Sequence, residues 1–110
     1  MARDSDGVPI ACVLTALTDA EQKRRQWLAE RLFGTVQQTH ELGDGFALEL
    51  PDDDEIWMQM AEFVTLERRC CPFLSFALYS AEEGQPIQLH ITGRSGVKAF
   101  LKQQLGLSGV

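Results

Sequence analysis

The spacing of apolar and polar positions changes several times along the chain, and each change marks an element. PIACVLTAL at 9–17 is short, apolar and β-prone, and predicts a first strand. TDAEQ then carries a helix start, with Thr18 as N-cap, Asp19 and Glu21 in the first turn, and Glu21 where a capping box needs it. That helix continues through Trp27, Leu28, Arg31 and Leu32 until Gly34 stops it. TVQQTHEL (35–42) and FALEL (46–50) flank the turn signal GDG and predict a hairpin, with Phe46, Leu48 and Leu50 sharing a face.

Pro51 ends the second of these strands, and the acids of DDDE suit the positive end of a second helix over 52–70. Pro72 disfavours helical backbone at Cys71 and so fixes where this helix stops. FLSFALYS (73–80), the turn AEEGQP and IQLHIT (87–92) predict a second hairpin, and GVKAFLKQQL a last short helix. The order β-α-β-β-α-β-β-α predicts one α+β domain over 1–110, with a mainly antiparallel sheet of about five strands and helices on one face. Residues 1–8 read as a loose leading segment.

Composition adds exclusions. With 45% hydrophobic and 24% charged residues, the chain has the make-up of a globular protein rather than a disordered one. A net charge of −6 argues against nucleic acid as a partner, because phosphate binding needs a basic face. The mixed charges of EQKRRQWLAER read as a solvated helix face. No stretch approaches the ~20 apolar residues of a membrane span. MARDSDGVP has neither the signal-peptide nor the transit-peptide pattern. The expectation is therefore a cytoplasmic protein without a membrane partner, in a compartment that keeps thiols reduced. Its three cysteines are an odd number, so Cys12, Cys70 and Cys71 are expected as free thiols or ligands rather than as a disulfide framework. GRSG at 93–96 is too short a match to a nucleotide fingerprint.

The second helix holds the candidate chemistry. At about 100° per residue, Ile56, Trp57, Met60, Phe63 and Val64 form one apolar stripe centred near Met60. One turn further on, that stripe brings in Glu67, with Cys70 and Cys71 three and four residues beyond it. A carboxylate facing a core costs several kcal/mol unless it is paired, protonated or ligated, so the pattern conflicts with the chemistry there. The bland alternative has Glu67 reaching out to Arg68, Arg31 or water, with the cysteines as small core residues. Thiolate redox catalysis suits the cysteine pair poorly, since a helix C-terminus opposes ionisation. A bound soft ion such as Zn(II), Cu(I) or Hg(II) would instead supply the missing positive charge. Cys12, if it faces the core beside Ile10 and Leu14, offers a third sulfur. His90 alternates with Ile87, Leu89 and Ile91 and so points away from them, and His40 has no partner legible in the sequence.

ERRCCPFLSFAL (67–78), followed by GQPIQLHITG (84–93), resembles a family of small uncharacterised bacterial proteins. Its pattern is E-x-x-C-C-P-F-x-x-F with an early cysteine in an apolar C-x-L strand. The matching residues here are Glu67, Cys70, Cys71, Pro72, Phe73 and Phe76, with Cys12 in CVL. The match is close over the Glu-Cys-Cys segment and loose elsewhere. The resemblance implies an association with mercury or arsenic resistance contexts, no fixed activity, and a common site for Cys12, Glu67, Cys70 and Cys71.

Three readings follow. The first is a thiol-rich protein that binds a soft metal or metalloid ion, of the Zn or Hg class, through Cys12, Glu67, Cys70 and Cys71. The second is a structural or interaction domain, open to homo-oligomer formation, in which the cysteines only pack. The third is a thiol/carboxylate enzyme, for instance one that protonates a carbon–metal bond.

Overall fold

In the computed structural model, which describes residues 2–3 and 9–106, the two hairpins join into one antiparallel sheet. A two-residue strand β1 (Ala2–Arg3) pairs with β2 (Pro9–Ile10) apart from that sheet. The main elements are α1 (Asp19–Phe33), β3 (Gln38–Leu42), β4 (Gly45–Leu50), α2 (Asp54–Cys70), β5 (Leu74–Tyr79), β6 (Ile87–Gly93) and α3 (Val97–Leu105). The sheet order is β3-β4-β6-β5, so the strand before α2 lies beside the last strand rather than beside β5.

Period-two alternation decides which face is inward. Phe46, Leu48 and Leu50 stand opposite Ile91, Leu89 and Ile87, and all six are buried. Phe76 and Leu78 on β5 extend the rows of Ile91 and Leu89. The other face carries His40, Glu49, Gln88 and His90, which puts His90 away from the core row as the alternation requires. Gly45 permits the close pairing of β4 with β6, because a Cβ there would lie 2.0 Å from the Ile91 carbonyl oxygen.

Local chemistry sets the helix ends. Glu21 N donates to Thr18 Oγ1 at 3.1 Å and Thr18 N donates to Glu21 Oε1 at 3.0 Å, completing the capping box. Asp53 caps α2 by accepting from Ile56 N at 3.1 Å. α2 and α3 lie against the sheet, and α1 packs on α2. Leu28 and Leu32 of α1, Met60 and Phe63 of α2, and Val97 and Leu101 of α3 enter one apolar cluster with the inward sheet rows. Phe33 meets Phe63 edge-on at 5.9 Å across the α1–α2 seam.

The expected strand over 9–17 is not formed, which reduces the five-stranded sheet to four strands and changes the predicted order. Only Pro9–Ile10 is extended and paired, and Leu14–Ala16 turns as a 3-10 segment. Val13 and Leu14 are 53% and 44% exposed, so this apolar run is not a buried strand. A short apolar run has no period that separates a strand from an irregular crossing, and its one long-range backbone bond goes to a helix end instead of a sheet edge. Of the leading segment expected at 1–8, residues 1 and 4–8 lie outside the described residues. Among the described residues, no helix is long and apolar enough to cross a membrane.

Candidate functional site

The last turn of α2 carries Glu67 inward, as the apolar stripe requires. Glu67 is 2% exposed, Cys70 0% and Cys71 1%. Cys71 follows the helix as its cap, with its N–H donating to the Glu67 carbonyl at 2.7 Å. The three side chains meet: Cys70 Sγ donates to Glu67 Oε2 at 3.2 Å, Cys71 Sγ lies 3.5 Å from the same oxygen, and the two sulfurs are 3.6 Å apart. All three donor atoms lie within 4.8 Å of one another.

What makes the buried carboxylate tolerable is Arg25 of α1. Its Nε donates to Glu67 Oε2 at 2.8 Å and its Nη2 to Oε1 at 3.1 Å, a two-pronged pair with little exposure on either side. Arg25 lies three residues before Leu28 and seven before Leu32, on the buried side of α1. That spacing was the available signal, obscured because the whole basic stretch reads as a solvated face. Arg68 and Arg69 do point outward, and Arg69 pairs with Glu21 at 2.7 Å.

Cys12 reaches the site, but not as a free thiol. Its sulfur is bonded to Cys71 across 59 residues of sequence, with 4.6 Å between the Cα atoms. This corrects the expectation that all three cysteines are free: an odd count rules out pairing of all of them, not of two. The pairing has a local cause. Val13 N donates to the Cys70 carbonyl at 2.7 Å, tying the crossing segment to the end of α2 and placing Cys12 beside Cys71. Cys70 is left as the free, buried thiol.

Charge is distributed unevenly across this corner. Burial pushes the Cys70 thiol up to about 11, and the Glu67 charge and hydrogen bond push the same way while Arg25 opposes them. Burial also works against the Arg25 charge, yet its hydrogen bonds and attraction to Glu67 prevail and raise it above its ordinary value. Cys70 is therefore a protonated hydrogen-bond donor at neutral pH.

A cleft of about 860 Å³ opens over the site. Cys12, Cys71, Arg25 and Glu67 form its floor, while Ile10, Leu14, Leu74 and Phe100 supply apolar walls. Phe73 stands behind this wall, edge-on to Phe100 at 5.0 Å, and Phe76 belongs to the inward sheet row instead. Both histidines lie elsewhere: His40 pairs with Glu49, and His90 with Gln88 at 2.8 Å.

No protein-family model matches the chain, and no curated protein or solved structure is significantly similar to it. The fold and the site therefore define the class by themselves. It is an α+β domain with a four-stranded antiparallel sheet and a buried Glu/Cys/Cys group at the end of its second long helix, a group with the donors to hold a metal ion.

Proposed function

We propose that the protein, with its cysteines reduced, binds a soft divalent ion of the zinc class through Glu67, Cys70 and Cys71. The observation that carries this reading is the donor spacing of 3.2, 3.5 and 3.6 Å among the three groups. Tetrahedral zinc with ligand bonds of ~2.0–2.3 Å needs donors about 3.3–3.8 Å apart. The spacing fits a tetrahedral ion better than Hg(II), whose preferred linear pair of thiolates requires more separated sulfurs.

Charge balance supports the same set. Two thiolates, the Glu67 carboxylate, the Arg25 guanidinium and a divalent ion sum to zero, so the closed site would bury no net charge. A bound ion would replace the two thiol protons and hold the sulfurs as thiolates, which burial beside Glu67 otherwise opposes. Arg25 would orient the carboxylate from behind. Reduction of the Cys12–Cys71 bond is a precondition, since a disulfide sulfur is not a thiolate ligand. It also frees Cys12 on the cleft side as a fourth donor, which keeps the balance neutral if it binds as the thiol. The reading suits a reducing compartment such as the cytoplasm.

Metal analysis tests it. Protein reduced and desalted without chelator should take up about one equivalent of Zn(II), and Cys70→Ser or Cys71→Ser should lose it while remaining folded. Uptake by reduced wild type no greater than that of the Cys70→Ser, Cys71→Ser double variant would sink the reading.

A further inference from the structure

The Cys12–Cys71 bond is asymmetrically placed. Cys12 is half-buried and Cys71 is 1% exposed, and both line the cleft. Cys70 is 0% exposed and does not line it. At about 860 Å³ the cleft falls in the range of sites that take small molecules, and apolar side chains line it together with the two bonded cysteines. The more exposed cysteine of the bonded pair thus borders a ligand-sized space, and its partner is almost wholly buried.

We propose that Cys12 and Cys71 form a dithiol–disulfide exchange pair, in which Cys12 meets a low-molecular-weight disulfide in the cleft and Cys71 resolves the product. The Cys12 thiolate attacks one sulfur of R–S–S–R. A Cys12–S–S–R bond forms, the R–S–S–R bond breaks, and R–S⁻ leaves and takes up the proton Cys12 gave up. Cys71 then gives up its proton as its Sγ attacks Cys12 Sγ, forming the bond seen in the structure and expelling the second R–S⁻, which takes up that proton. Two electrons pass from the cysteine pair to the small disulfide, and two R–SH molecules are released.

The fold supplies what the second step needs. The bond from Val13 N to the Cys70 carbonyl holds the Cys12 segment against the end of α2, so the resolving sulfur is kept at high effective concentration. The exchange does not rest on the ion-binding reading: the two share Cys71, but ion binding also needs Cys70, and no step here uses that thiol.

Reduced protein treated with oxidised glutathione in the presence of EDTA tests the assignment without any metal. Wild type should end with Cys12 linked to Cys71 and no glutathione retained, as read by intact mass and peptide mapping. Cys71→Ser should keep glutathione on Cys12, and Cys12→Ser should take up none. If serine at the buried position prevents folding, Cys71→Ala gives the same trap with an apolar side chain. Glutathione retained by the wild type, an adduct mapped to Cys70, or a folded Cys71 variant that stays unmodified would each overturn the proposal.

Discussion

Arg25 and Glu67 meet across the α1–α2 seam through parallel hydrogen bonds of 2.8 and 3.1 Å, with Glu67 2% exposed. Removing Arg25 alone leaves a buried charge without its partner, at a cost of about 3–5 kcal/mol. Arg25→Ala should therefore lower the urea midpoint strongly. Arg24→Ala, which breaks the exposed pair with Glu62, should barely move it. Replacing both Arg25 and Glu67 by methionine should recover most of the loss, because no charge is then stranded. Equal midpoints for the two arginine variants would show that Arg25 does not hold Glu67 in the core.

The disulfide closes a loop of 59 residues, so its removal should destabilise the fold by about 2–4 kcal/mol through the unfolded state. Cys12→Ser and chemical reduction of wild type should give similar losses, and reduction should change Cys12→Ser little further. The measurement is urea unfolding with and without a phosphine reductant.

Cys70 sets an alkaline limit. Its thiol rises from an ordinary 9.0 to about 11 in the fold, so between these values the unfolded chain ionises first and binds fewer protons. Stability should accordingly fall as pH rises from about 9 to about 11, and this contribution should level off above that. In native protein, iodoacetamide should modify Cys70 negligibly at pH 8 and progressively faster towards pH 11. Rapid modification of the folded protein at pH 8 would contradict both the burial and the shift.

Acid should weaken the exposed seams. Glu21 is held low first by the Thr18 backbone N–H and then by Arg69, Glu62 by its hydrogen bond from Arg24, and Glu41 by its hydrogen bond from Lys98. Each is depressed below 4.5, so its stabilisation is complete above that pH and is lost as pH falls through the lower folded value. Carbon-detected titration of the glutamate carboxyls should find these three below 4.5. In Arg24→Ala, Glu62 should return to its ordinary value.

Much of this architecture is legible in local patterns because local chemistry causes it. The capping box at Thr18–Glu21, the stop at Pro72 and the alternation in 46–50 and 87–91 act within a few residues, and each element forms about where they place it. The inward turn of Glu67 was legible for the same reason, since a 3.6-residue period carries the stripe of Met60 and Phe63 onto it. The segment 9–17 had no such internal rule. Its apolar character suits a strand or a covered crossing equally, and a single backbone bond from Val13 to the end of α2 settles the matter.

The sequence by itself determined that a carboxylate and two sulfurs share one helical face, because spacing along a helix fixes direction. Only the tertiary structure decided what those groups meet. Arg25 and Cys12 come from segments 42 and 59 residues away along the chain, from Glu67 and Cys71 respectively. They arrive through the packing of α1 on α2 and the crossing of the leading segment over the helix end. Periodicity records which way a side chain points, whereas the charge or sulfur waiting there depends on how the elements dock.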